Sequence, residues 1–431
     1  MKKRNGFTLI ELLAVVVILA VIALISTPLI INIINDAKEG AFQNTAYGIA
    51  QAAEYEFMQS SLNGEMKGDL LFVYNNSELT TDGEEVTLDY KGERPKDGVI
   101  IVNNEGKTFI TVHNGQYCAT KDYDTVDVIV EKKNKEDCLN SARIEIQTVM
   151  ENQVKQILTT IGSNIDNNPQ FDPETVNETN INNLLNLPVI NYESLKITMK
   201  DDEPTISLIG KNNFENLSAI GTVENVQIYD KLYLWYDFTS KTNSDPTKAT
   251  ASDLSGQNNN GTLIDFDYTS SSGWLTDSVN FDGTNDAIAI PWKPGDNYTI
   301  SIWFYKSAFG SDSYETLVGG PSGFELEAKP SSNNVAEIQL YSWGGYRIPY
   351  LFNQWNHVVF VRTPKNTKLY LNGVLKQVGL AGALPQGQYF LGAWSVSGSQ
   401  NYKGKINDVV ICNSAWSEAE VLKKYDRGIN L

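Results

Sequence analysis

The sequence predicts a multidomain protein: an N-terminal long α-helix with an α+β headgroup, a middle α+β module, and a C-terminal all-β sandwich. Three observations predict it. An apolar run near the N-terminus continues into apolar residues at helical spacing. Short apolar runs separated by Asn and Gly then lead to two cysteines. From residue 229 onward aromatics become dense, and Gly, Asn, Asp and Ser punctuate brief alternating segments, as in a β-sandwich.

The first element is the most informative. Lys2, Lys3 and Arg4 form a basic head, Gly6-Phe7 follows, and Phe7–Ile25 carries a single charge, Glu11. As a helix this run spans about 28 Å, close to the hydrocarbon thickness of a bilayer. The basic head is expected on the cytoplasmic side, with the rest of the chain facing outward. A secretory signal is cut after its apolar core. Here the junction Gly6-Phe7 lies before that core, so cleavage would leave the helix on the mature chain. Glu11 costs about 3 kcal/mol inside an apolar helix and therefore needs a partner. Pro28 removes one backbone hydrogen bond, so a kink or local melting is expected there.

Residue for residue, Gly6-Phe7-Thr8-Leu9-Ile10-Glu11-Leu12 resembles the type IV prepilins. The resemblance implies that residues 1–6 are a leader removed after Gly6 by a prepilin peptidase, and that Phe7 is then methylated. It also implies that the new ammonium of Phe7 pairs with Glu11 of a neighbouring subunit. The implied assembly residues are Phe7, Glu11 and Pro28. The partners are other pilin subunits, and the membrane holds a single-pass precursor before it joins a surface pilus.

Residues 7–138 then read as helix and headgroup. The helical pattern runs to about Ser60 through Ala41, Thr45, Ile49, Ala52, Ala53 and Phe57, and Gly64 and Gly68 break it. Strands are expected at Leu70–Tyr74, Glu85–Tyr90, Val99–Val102 and Thr108–His113, with hairpin signals at Asn104–Gly106 and Asn114-Gly115. The segment Gly92–Cys118 is similar to the sheet of pilins from Gram-positive bacteria. An extracytoplasmic location permits a Cys118–Cys138 disulfide, which would stabilise by about 3 kcal/mol on the chain-entropy model. Cys412, in an apolar run, reads as a buried and inert thiol.

Residues 139–228 contain a second amphipathic helix, Leu139–Thr160, an Asn-rich loop over 164–186, and strands at Tyr192–Met199, Thr205–Ile209 and Val223–Tyr229. Both a second pilin-like unit and an irregular α+β spacer fit this pattern. In 229–431, several blocks follow one another: Asp253–Gly256, Val279–Gly283, Tyr298–Trp303, Trp355–Val359, Leu369–Gly373, Tyr402–Val409 and Trp416–Val421. In order and spacing they resemble the laminin-G/concanavalin A-like jelly roll, a binding fold.

The formal charge of −18, from 34 Lys+Arg against 52 Asp+Glu, argues against nucleic acid as a partner. No catalytic residues are expected. Glu325 and Glu327 share a strand face without a third acid at glycosidase spacing. The only histidines, His113 and His357, lie in different domains. Calcium is the one candidate cofactor, with Asp282 and Asp286 in a Gly-containing turn as candidate metal ligands. For a glycan or host protein, the candidates are Trp343, Tyr346, Arg347 and Trp394; Trp274 and Trp292 also lie in or near loops. Trp235, Trp303, Trp355 and Trp416 are expected to be buried. Together these features predict a minor type IV pilus subunit displaying a carbohydrate- or protein-binding sandwich for adhesion. The alternatives are a pseudopilin of a secretion or DNA-uptake system, and an anchored glycan-active enzyme.

Overall fold

Apolar residues at helical spacing favour one very long helix at the N-terminus, and the computed structural model has it. The structure describes residues 9–429 apart from 64–67, 82, 169, 182, 184–191, 201–202, 212–213, 215, 240, 311–313, 321–324, 331–335, 341–346, 383, 385–386 and 396–399. The chain divides into two compact units, Met1–Arg143 and Ile144–Leu431.

In the first unit, helix α1 spans Leu9–Leu62, 54 residues. Its backbone stays helical through Pro28, so the expected local melting does not occur. Of the expected stripe Thr45, Ile49 and Ala53 are buried, and Ala52 and Phe57 are half-buried. Phe42, Ala46, Ile49, Ala50 and Ala53 are buried, whereas Ala41 is exposed. This face lies on a seven-stranded antiparallel sheet ordered Glu84–Glu85, Glu78–Thr81, Leu70–Asn75, Asp97–Val102, Thr108–His113, Cys118–Lys121, Ile129–Glu131. Phe72, Ile100, Ile110 and Val112 supply the sheet's half of the core. The run expected as a strand over Glu85–Tyr90 is strand only at Glu84–Glu85. Gly92 passes so close to α1, at φ +131°, that an added Cβ would sit 2.0 Å from the Thr45 hydroxyl. Cys118 is disulfide-bonded to Cys138, with Cα atoms 5.5 Å apart. His113 is structural: Gly115 donates its N–H to Nδ1 (3.1 Å), and Nε2 lies 2.9 Å from the Lys133 carbonyl.

Helix α2, Lys135–Asn167, outruns its expected bounds at both ends. In the second unit it buries Val149, Met150, Val154, Ile157, Leu158 and Ile161. A four-stranded antiparallel sheet is ordered Val226–Asp230, Leu217–Gly221, Glu203–Gly210, Tyr192–Lys200. Two eight-stranded antiparallel sheets then form the sandwich. The first runs Gly273–Trp274, Val279–Asp282, Lys403–Cys412, Tyr298–Tyr305, Trp355–Arg362, Asn366–Leu371, Val374–Leu380, and Leu232–Tyr236 also pairs with Lys403–Cys412. The second runs Thr250–Ala251, Gly261–Ile264, Ala287–Ile290, Tyr389–Leu391, Glu315–Gly319, Glu325–Pro330, Ala336–Leu340, Arg347–Pro349. Period-2 alternation sends Ile300, Ile302, Phe304, Val358 and Phe360 of the first sheet into a shared core with Ile288, Leu317, Leu326 and Ile338 of the second.

The other face of the first sheet is partly covered. Helix α3, Glu418–Asp426, opens on a capping box between Ser417 and Glu420. Trp416 and Val421 pack with Ile220 and Tyr229 over Val359, Val361, Tyr370, Val410 and Cys412. Cys412 is the buried thiol the sequence suggests. Two charge clusters fasten this layer. Lys424 donates to Asp408 (2.6 Å), which also accepts from the Trp235 indole (2.8 Å). Glu151 of α2 accepts from Lys155 (3.1 Å), Lys423 (2.8 Å) and Arg427 (2.7 Å). Partial burial works against the ionised Glu151, but these cations outweigh it and hold its carboxyl down at about 2.

Candidate functional site

The N-terminal candidates stand at the start of α1. Gly6 and Phe7 lie outside the described residues. Glu11 and Pro28 are helical, and their side chains lie outside the described ones. What the structure does show is an apolar surface. Leu12, Leu13, Val16, Val17, Ile18, Leu19 and Ile22 all stand more than half exposed, and the exposed run continues through Leu24 to Ile33. Among the described residues, no helix is long and apolar enough to cross a membrane. The expected membrane-spanning helix is therefore not shown by the structure.

In the sandwich, Trp343 and Tyr346 lie outside the described residues. Arg347 begins the strand Arg347–Pro349, is exposed, and reaches Glu337 at 3.6 Å. Trp394 is half-buried in the turn after Tyr389–Leu391. Trp274 and Trp292, placed by the sequence in or near loops, are core residues at 4% and 2% exposure. The Trp274 indole donates to the Lys248 carbonyl (2.8 Å), and the Trp292 ring meets Tyr298 and Tyr389 edge-on. Trp274 lies in the strand Gly273–Trp274 and Trp292 follows Ala287–Ile290, and both rings join the core between the sheets. Glu327 is buried and accepts from Gln339, which does not suit it to glycosidase work.

The Asp282/Asp286 turn is hydrogen-bond chemistry. Asp286 accepts from the Ser272 hydroxyl and from the Asp282 amide, each at 2.8 Å, and Asp282 accepts from the Thr284 amide at 2.7 Å. Burial pushes the Asp286 carboxyl up to about 7. A carboxyl held this way is a poor ligand for a hard cation, which needs several converging anionic or carbonyl oxygens. Among the described residues, no three His, Cys, Asp or Glu side chains group as a metal site. These residues do not fit calcium.

His357 is fully buried, with Nε2 2.7 Å from the Ser301 hydroxyl and its ring stacked on Trp303 (4.8 Å) and Tyr425 (6.1 Å). Burial first, and Lys424 second, push its pKa far down, so it is neutral and structural.

One feature was missed. Trp355, expected in the core, is only half-buried. Strand register aligns Asn280 with Lys405, Lys405 with Tyr305, and Tyr305 with Trp355. All four are half-buried, and each alternates with an inward core neighbour, so they form one row on the outer face of the first sheet. Tyr305 and Trp355 meet edge to face at 5.8 Å, and the Lys405 ammonium lies 5.3 Å from the Tyr305 ring centre. An open groove of about 730 Å³ adjoins Lys405, lined by Thr239, Thr242, Asn243, Thr276 and Asp277. The alternation Tyr305/Phe304 and Trp355/Asn356 was the available signal, because it puts both rings on the face opposite the core.

Residues 1–27 match the model of the prokaryotic N-terminal methylation motif, and residues 282–422 match that of the concanavalin A-like lectin/glucanases superfamily. The chain thus joins a type IV pilin methylation motif to a concanavalin A-like, laminin-G domain. Among solved structures it is similar to domain 4 of AbnA, a GH43 extracellular arabinanase from Geobacillus stearothermophilus, in complex with arabinotriose. That likeness has 20% identity over 45% of this chain and 97% of that one, at a TM-score of 0.35. It is also similar to the botulinum neurotoxin serotype D binding domain, at 18% identity over 46% of this chain and 52% of that one, TM-score 0.33. A Trypanosoma rangeli sialidase in complex with 2,3-difluorosialic acid aligns at 9% identity over 83% of this chain and 51% of that one, TM-score 0.36. No curated protein matches the sequence.

Proposed function

We propose that the chain is a minor subunit of a type IV pilus that carries its sandwich outward as an adhesive head for a glycan or a host matrix protein. One observation carries this reading. A methylation motif at residues 1–27 runs into a 54-residue helix that begins at Leu9, and a concanavalin A-like domain follows in the same chain. On this reading a prepilin peptidase cuts after Gly6, the apolar half of α1 waits in the membrane, and that half then packs among other pilin helices. Exposed apolar side chains from Leu12 to Ile33 need such a lipid or protein surround. The head is not catalytic on this reading; it holds its ligand.

The size of the second unit sets the position in the filament. Pilus subunits pack closely, and Ile144–Leu431 is added bulk that each copy would have to accommodate. Immunogold labelling of native filaments with antibody to the sandwich is expected to mark tips or sparse lateral points. Dense and uniform decoration along the shaft would overturn the minor-subunit reading.

A further inference from the structure

Resting on the reading of the sandwich as a saccharide-binding head, we propose that the row Asn280–Lys405–Tyr305–Trp355 and its adjoining groove bind an acidic saccharide, a sugar chain bearing carboxylates. The four strands carry this row across about 14 Å at ordinary strand spacing, the reach of a short oligosaccharide. The aromatic faces of Tyr305 and Trp355 are electron-rich, and the C–H faces of a pyranose are the complementary apolar, weakly positive surface. The groove beyond Lys405 offers hydroxyl groups from Thr239, Thr242 and Thr276 to the sugar hydroxyls, with Asp277 also in its lining.

Charge selects the acidic class. Lys424 is committed to Asp408 and Lys306 to Glu315. Lys405 enters no ion pair among the described residues and stands beside an aromatic face, so a ligand carboxylate would complete it. Its presence is notable in a chain of net charge −18. The next row along the same strands is already covered, since the Tyr425 ring lies over Trp303 and His357. Helix α3 ends at Asp426, and the row at Tyr305 and Trp355 is left half-open.

The test uses the full chain in detergent micelles, titrated by calorimetry with hyaluronan hexasaccharide, whose alternate residues are uronates, and with neutral cellohexaose. The acidic probe is expected to bind at least about tenfold more tightly than the neutral one, and less tightly as salt is raised. Trp355→Ala and Lys405→Gln are each expected to weaken hyaluronan binding about tenfold or more. Trp355→Phe keeps a ring in place and should retain part of the affinity, which separates loss of stacking from misfolding. Thr262→Ala, at an exposed position of the other sheet, should bind as wild type. Equal binding of the two probes, or wild-type binding by Trp355→Ala and Lys405→Gln, overturns the site while leaving a saccharide-binding head in place. Failure of the wild-type chain to bind either probe overturns the site. Silence across a broad panel of neutral and acidic glycans would remove the saccharide reading as well.

Discussion

Replacing Glu11 by Ala is expected to leave the chain synthesised, inserted and disulfide-bonded while lowering its recovery in purified filaments at least about tenfold. The reasoning is electrostatic. A carboxylate in an apolar helix costs about 3 kcal/mol on insertion, so the substitution makes the membrane-held precursor easier to form, not harder. What it removes is the proposed partner of the Phe7 ammonium, the one charged contact that fixes axial register between otherwise apolar helices. Apolar surfaces alone attract without specifying register. Quantitative immunoblots of sheared filaments against cell membranes measure the effect. Glu11→Gln, which keeps the shape but loses the charge, should fall with Glu11→Ala. Normal incorporation of either variant would show that the pair does not govern assembly.

Replacing Lys306 by Met is expected to destabilise the sandwich by about 3–5 kcal/mol. Both Lys306 and Glu315 are completely buried and ion-paired. Lys306 also donates to the Lys403 carbonyl (2.7 Å), and its ammonium lies 4.6 Å from the Tyr402 ring centre and 4.9 Å from that of Phe309. Burial pulls the Lys306 pKa down to about 8, which still leaves it mostly charged at neutral pH. Glu315 keeps the Gly310 amide at 2.8 Å and the Lys403 amide at 2.7 Å, but it would hold an uncompensated charge in the core. The double variant Lys306→Met with Glu315→Gln removes that charge and should recover most of the loss. Denaturant unfolding followed by tryptophan fluorescence measures both. A single variant within about 1 kcal/mol of wild type would contradict this role for the pair.

Much of the fold is legible because it rests on local signals. The spacing of Thr45, Ile49 and Ala53 is helical wherever it occurs, and Thr108–His113 has the bounds its pattern predicts. The disulfide followed from location and from there being one pair of cysteines near the headgroup. The misses share one cause, which is that sequence gives the period of a strand but not what covers each face. Trp355 reads as core because its neighbours Val358 and Phe360 are core, yet it points to the opposite face, beyond the end of α3. Trp274 and Trp292 read as loop residues because Gly and Pro surround them, yet both rings are packed into the sandwich core. Asp282 and Asp286 have metal-like spacing, but only the structure reveals that Ser272 and two backbone amides already occupy them.

The most direct measurement is the intact mass and N-terminal sequence of the chain recovered from surface filaments of native cells. Residues 1–6 should be missing and the chain should begin at an N-methylated Phe7. A filament-borne chain that still carries Met1 through Gly6 would contradict the assignment of α1 as a pilus-core helix.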